Sequence, residues 1–245
     1  MSIDHPDELK GLQAAGRVVA ETLRAMAARV RPGVTTAELD AVAAGVFARH
    51  GARSAPQLAY DFPGVTCISV DDEAVHGIPG PRRLKQGELV KLDVTAELDG
   101  YYADACVSVP VGAVAPRTQR LVAAARSGLN AGMKAAVAGA RTGDIGAAVQ
   151  HEVERSGFSV CHELTGHGIG RTIHEPPTVA NVAGGAERLT DGLVLTIEPI
   201  IAAGEGEVHV APDRWTVRTD DGSVSAHVEH TIVVRDGAPP LILTA

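Results

Sequence analysis

The chain has 245 residues, 45% of them hydrophobic and only 3% aromatic, so it can bury a sizeable aliphatic core in one large domain or two small ones. Its net charge of −8 argues against nucleic acid or an anionic membrane as partner, since both attract basic surfaces. Three cysteines (Cys67, Cys106 and Cys161) without paired spacing fit reduced thiols, and there is neither a signal-like start nor an apolar run near the ~18 residues of a membrane span; the expectation is a soluble cytoplasmic protein.

Residues ~6–30 carry Leu9, Leu12, Val18, Val19, Leu23 and Met26 at helical spacing, with Pro32-Gly33 as the stop. Thr35 followed by Glu38 forms a capping-box pattern that opens a second helix, ending near Gly51. Val65–Val70 reads as a short strand. Gly87–Val109 is the clearest hairpin signal, two alternating strands about the favoured turn Asp99-Gly100. Pro116 starts the first of two further helices, ~116–139 and ~143–156, separated by Gly139 to Gly143. The remainder is strand-rich, with Leu193–Ile201, Val208–Arg218 and Ser225–Val234 as the strongest strands, and no low-complexity linker divides the chain.

One internal echo stands out. Gly87-Glu-Leu-Val-Lys-Leu-Asp93 and Gly192-Leu-Val-Leu-Thr-Ile-Glu198 each place a carboxylate six positions after a glycine, across a mostly apolar run. Chance and duplication both account for it; duplication would make two related halves, each sending a carboxylate strand to a shared centre. With helices ahead of each β-rich half, the expected fold is α+β with pseudo-two-fold symmetry.

The hairpin can be worked out from its turn. With Asp99 and Gly100 as loop residues, Leu98 opposes Tyr101 and Thr95 opposes Asp104. Alternation then puts Asp93, Thr95 and Asp104 on one face, with Val90, Leu92 and Val94 on the other. Asp93 and Asp104 become diagonal neighbours at about 7 Å, near enough to share a metal pair. Two exposed charges on a sheet edge are the plainer reading, but a like-charge pair is unfavourable unless cations neutralise it. Glu198 and Glu229 each lie in a β-branched run, where one glutamate alone could be an edge charge. Four carboxylates with His167 are a donor set for hard-to-borderline divalent cations, which activate water for hydrolysis.

Two motifs invite misreading. Gly166-His-Gly-Ile-Gly-Arg171 lacks the Lys-Ser/Thr and the strand-to-helix setting of a phosphate cradle; its glycines are better explained as letting backbone pass close to a bound group. His162, Glu163 and His167 imitate a zinc-protease helix, but the histidines are five apart and would not share a helical face. His162 and His227 read as structural or surface histidines.

Taken together, His76-Gly-Ile-Pro, Lys91-Leu-Asp-Val, Asp99-Gly-Tyr-Tyr-Ala-Asp, Gly166-His-Gly-Ile-Gly-Arg, His174-Glu, Thr196-Ile-Glu-Pro and Val228-Glu-His-Thr resemble the type I methionine aminopeptidases of peptidase family M24, in order and spacing, from near residue 6 to the end. The resemblance implies a "pita-bread" fold over residues 1–245, with helices of about 6–51 packed on it. It implies two divalent ions (cobalt, manganese or iron) held by Asp93, Asp104, His167, Glu198 and Glu229. A water bridging such ions has a lowered pKa and attacks the scissile carbonyl as hydroxide. Glu198 would accept its proton, His174 would donate to the carbonyl oxygen, and His76 would bond the substrate backbone. Tyr60, Phe62, Cys67, Ile173 and Trp215 lie where the family places its methionine pocket, an apolar slot suited to a thioether. Many relatives carry an aromatic in place of Ile173, and residues 56–62 depart from the commoner pattern; Cys67 reads equally as a core thiol. The implied substrates are nascent proteins bearing an N-terminal methionine before Gly, Ala, Ser, Thr, Pro, Val or Cys, met at the ribosome by a monomer of the short bacterial kind. A proline-directed peptidase, a metal-free amidinohydrolase and a non-enzymatic binding protein share the fold; the intact ligand set opposes the last two.

Overall fold

A computed structural model describes residues 1–245. Helices α1 (Pro6–Ala27) and α2 (Thr36–His50) lead. Thr35 caps α2 as its spacing predicts: its hydroxyl accepts from Glu38 N while the Glu38 carboxylate accepts from Thr35 N, and such a cap contributes about 1 kcal/mol. A two-residue strand β1 (Arg53–Ser54) and a one-and-a-half-turn helix α3 (Ala55–Tyr60) follow. The short α3, capped by Ser54, is absent from the sequence reading because it is too brief for a periodic signal.

Strands β2 (Cys67–Val70) and β3 (Glu73–Val75) precede the long hairpin β4 (Leu89–Leu98) and β5 (Tyr101–Pro110). Its register is the one the turn predicts, with Leu98 opposite Tyr101 and Thr95 opposite Asp104. Asp99 and Gly100 take the positive φ values, 51° and 81°, that this turn demands. β2 and β1 pair with the other edge of β4. Apolar faces of β2, β4 and β5 pack on α1 and α2 around Leu39, Ile68, Leu92 and Val94, forming one of two large cores.

The second core is built the same way. Helices α4 (Pro116–Ala135) and α5 (Thr142–Arg155), then strands β6 (Ser159–Val160), β7 (Thr165–Gly168) and β8 (Glu175–Ala180), lead to β9 (Val194–Ile197) and β10 (Ile200–Ala202). The chain continues through β11 (Val208–Val210), β12 (Val217–Thr219), β13 (Ser225–His227), β14 (His230–Val233) and β15 (Leu241–Ile242). Leu121, Ile145, Val149, Leu195, Ile197 and Ile232 join the two helices to these strands. Each half is thus a helix pair on a sheet, and Gly87 and Gly192 turn at positive φ before β4 and β9, the two echoing strands.

Three long strands expected from the sequence are broken. Leu193–Ile201 is β9 and β10, parted at Glu198-Pro199, and Ser225–Val234 is β13 and β14, parted at Val228-Glu229. Pro199 has no N–H for a ladder, so the chain changes sheet there: β9 pairs with β14, while β10 pairs with β13. Val208–Arg218 is a hairpin reversing through 211–216, where the Asp213 carboxylate accepts from Trp215 N and Thr216 N. Hydropathy continues through the first two breaks, which is why periodicity alone misses them, whereas Pro212-Asp213-Arg214 is a turn signal inside the third.

Candidate metal centre

The two halves meet along β5. Thr231 Oγ1 accepts from Asp104 N at 2.9 Å and donates to Asp104 O at 2.7 Å, and Glu229 N donates to Cys106 O at 3.0 Å. These ties bring Asp104 of the first half against Glu229 of the second. The two strand breaks lie side by side, with Ile197 opposite His230 and Ile200 opposite His227. Glu198 and Glu229 occupy the breaks, free of the alternation that would otherwise send them to opposite sheet faces.

A cleft of about 650 Å³ opens there, lined by Asp93, Asp104, His167, Glu198 and Glu229 together with His76, His174 and His227. One ligand atom each from Asp104, His167 and Glu229 lies within 4.8 Å of the others. His167 Nδ1 faces Gly168 O at 2.9 Å, which fixes the ring and leaves Nε2, 3.5 Å from Glu198 Oε1, as the free lone pair. Thr196 Oγ1 accepts from His167 N at 3.0 Å and donates to Glu198 Oε1 at 2.8 Å, joining β7 to β9 at the site.

Burial and mutual repulsion shift the carboxyls of the cluster toward their neutral forms. Burial, joined by the charges of Asp104 and Glu198, pushes the Asp93 carboxyl well above its usual range, and burial raises Asp104 to about 6. Glu198 and Glu229 are raised in the same way, burial leading and the Asp104 charge adding. Asp104 Oδ1 and Glu229 Oε1 are buried without a hydrogen-bond partner. Orphaned carboxylate oxygens pointing into one space, beside an imidazole kept neutral by a pKa lowered to about 4 through burial, suit divalent metal.

The predicted pocket residues also gather. Tyr60, Phe62, Cys67, Ile173 and Trp215 line one recess with Pro56, opening onto Asp93, Asp104, His76 and His174. Phe62 meets Trp215 edge-on at 5.1 Å between ring centroids. Tyr60 Oη lies 2.6 Å from His174 Nδ1. His76 follows β3 with a left-handed φ of 57°, a costly conformation for a non-glycine residue that is characteristic of functional sites. His162 lies exposed outside the cleft lining, on the non-helical segment before β7.

Two readings change. Glycines 166 and 168 make room for neighbouring strands rather than for a bound group: a Cβ at Gly166 would sit 2.8 Å from Thr196 O, and one at Gly168 2.1 Å from Pro176 O. His227 is no surface or ordinary core histidine. Only 2% exposed, it lines the cleft with both ring nitrogens unpartnered, and burial together with His76 and Lys91 lowers its pKa to about 3. Its position two residues before Glu229 is the one signal that could have flagged it.

Comparison with known proteins bears on this geometry. Residues 10–236 match the model of metallopeptidase family M24. Methionine aminopeptidase 2 of Bacillus subtilis (strain 168) is 42% identical, covering 100% of this chain and 99% of its own. The crystal structure of methionine aminopeptidase from Rickettsia prowazekii superposes with a TM-score of 0.95 at 37% identity, all of both chains covered. A prolidase from Pyrococcus furiosus shares the fold alone, with a TM-score of 0.81 at 20% identity, covering 99% of this chain and 65% of its own. The fold is therefore the pita-bread fold, and the chain belongs to metallopeptidase family M24. Within that family it is a hydrolase of the aminopeptidase kind, related over its full length to methionine aminopeptidases.

Proposed function

We propose that this enzyme removes the N-terminal methionine of polypeptides whose second residue is small, at a centre of two divalent cations held by Asp93, Asp104, His167, Glu198 and Glu229. The observation that carries the reading is the convergence of donor atoms from buried Asp104 and Glu229 and half-buried His167, with Asp104 Oδ1 and Glu229 Oε1 unpartnered. Cobalt, manganese and iron all suit this oxygen-rich set. When bound, the cations supply Lewis acidity and a hydroxide at neutral pH.

The chain's own residues do the rest. Glu198 accepts the proton of the attacking water. His174 donates from Nε2 to the carbonyl oxygen as negative charge develops, in the tautomer whose Nδ1 accepts from the Tyr60 hydroxyl 2.6 Å away. His76 holds the substrate backbone. The recess of Tyr60, Phe62, Cys67, Ile173 and Trp215 takes the methionine side chain, its apolar walls and thiol matching a thioether. Nascent chains in the cytoplasm are the natural substrates, and the protein acts as a monomer on a single domain.

The test is hydrolysis of Met-Ala-Ser, acetyl-Met-Ala-Ser, Met-Phe-Ser and Ala-Pro peptides by Mn²⁺-loaded protein, with and without chelator. Turnover of Met-Ala-Ser alone, abolished by chelation, is expected. Equal turnover of Met-Ala-Ser and Met-Phe-Ser, or cleavage of the acetylated peptide, would refute the assignment.

A further inference from the structure

Of the four imidazoles lining the cleft, the proposed reaction leaves the buried His227 unused. His227 ends β13, and its backbone is pinned to β5: Ser108 Oγ donates to His227 O at 2.8 Å and accepts from His227 N at 3.0 Å. Its Nε2 stands 3.7 Å from Glu198 Oε2 and 3.8 Å from Glu229 Oε2, and neither ring nitrogen has a partner. A buried N–H left without an acceptor is unfavourable, so this ring is placed for an acceptor.

The two oxygens of Glu198 have different surroundings. Oε1 accepts from Thr196 Oγ1 and faces His167, whereas Oε2 is turned to His227. The two imidazoles differ as well. A histidine that ligates metal ordinarily anchors its other nitrogen on a carbonyl or carboxylate. His167 does so on Gly168 O; His227 Nδ1 has no such anchor. His167 is built as a ligand and His227 as a hydrogen-bond donor.

We propose that His227 is a positioning residue whose Nε2–H closes on Glu198 Oε2 and holds that oxygen aimed to accept the proton of the attacking water. Glu229 Oε2 is the second acceptor in reach. A side-chain shift of about 0.8 Å brings the Glu198 contact into the ~2.9 Å hydrogen-bonding range. The proposal rests on the aminopeptidase reading above.

The test compares His227→Ala, His227→Leu and His227→Gln in the full-length, Mn²⁺-loaded protein, leucine guarding against a cavity left by alanine. Loss of the donor should lower kcat on Met-Ala-Ser about 10–100-fold with KM nearly unchanged, and glutamine, whose amide still donates, should recover most of it. Calorimetric titration should find the wild-type Mn²⁺ stoichiometry in every variant. Spin-echo EPR should show an unchanged imidazole nitrogen coupling, one that His167→Ala abolishes. Wild-type kcat in the Ala and Leu variants, or a Gln variant as impaired as they are, overturns the proposal. So does a nitrogen coupling lost with His227, because it makes the residue a ligand. Wild-type protein inactive on this peptide with Mn²⁺ defeats the aminopeptidase reading, and this proposal with it.

Discussion

His174 and Tyr60 meet across 114 positions of sequence, their atoms 2.6 Å apart. His174 packs edge-on against His167, 4.2 Å between ring centroids, so it stands beside the candidate cluster of Asp104, His167 and Glu229 without belonging to it. Replacing His174 with Ala should leave metal content and melting behaviour unchanged while kcat falls about 10²–10³-fold, the size of one lost oxyanion hydrogen bond. Peptide kinetics paired with elemental analysis separates this from His167→Ala, which should lose metal as well as rate. A His174→Ala enzyme with normal kcat would remove the oxyanion role. Tyr60→Phe asks a narrower question, since it deletes only the hydroxyl in contact with His174 Nδ1. The net value of one hydrogen bond, about 0.5–1.5 kcal/mol, translates to roughly 2–10-fold in kcat, and no loss would mean the contact does not orient the ring.

At the scale of elements, the site depends on strands that stop. Glu198 and Glu229 converge because β9 and β13 both end beside them, with Pro199 enforcing one break. β7 lies this close to both neighbours because Gly166 and Gly168 carry no Cβ. Gly168→Ala should push β8, and with it the segment carrying His174, away from His167, because the new Cβ would lie 2.1 Å from the Pro176 carbonyl. Overpacking of this kind costs about 1–3 kcal/mol, equivalent to roughly 2–10 °C in Tm for a chain of this size. A thermal melt and a kcat measurement should fall together; a variant unchanged in both would show that β7 and β8 separate freely.

Across the whole molecule, two helix-on-sheet cores are drawn together along β5, where both send carboxylates to one cleft. Burial raises Asp104 from 3.8 to about 6, so its neutral form is favoured in the fold. Its contribution to stability is full below pH ~4 and is lost as pH rises through 6. The melting gap between Mn²⁺-loaded and chelated protein should therefore widen from pH 5 to pH 7.5. At 1,000-fold excess over Kd, binding adds about 4 kcal/mol, or on the order of 10 °C. Differential scanning calorimetry at the two pH values measures it, and a gap that narrows with pH would contradict the cluster's electrostatics.

Much of this was legible in residue order. The α2 cap and the β4–β5 register are local, decided by side chains within a few positions or by a two-residue turn, and Asp93 and Asp104 share a face for that reason. The residues that gather in the cleft and the recess were nameable through motifs whose order and spacing match a known family. What sequence could not convey depended on pairing between distant segments. Continuous hydropathy concealed the breaks at Glu198-Pro199 and Val228-Glu229, since both sides of each break are buried, only in different sheets. His227 looked ordinary because its neighbours in sequence are a strand, whereas its neighbours in space are two carboxylates. Local geometry and donor chemistry are properties of the chain; which donors face one another is set by how the two halves close, and only the tertiary structure contains that.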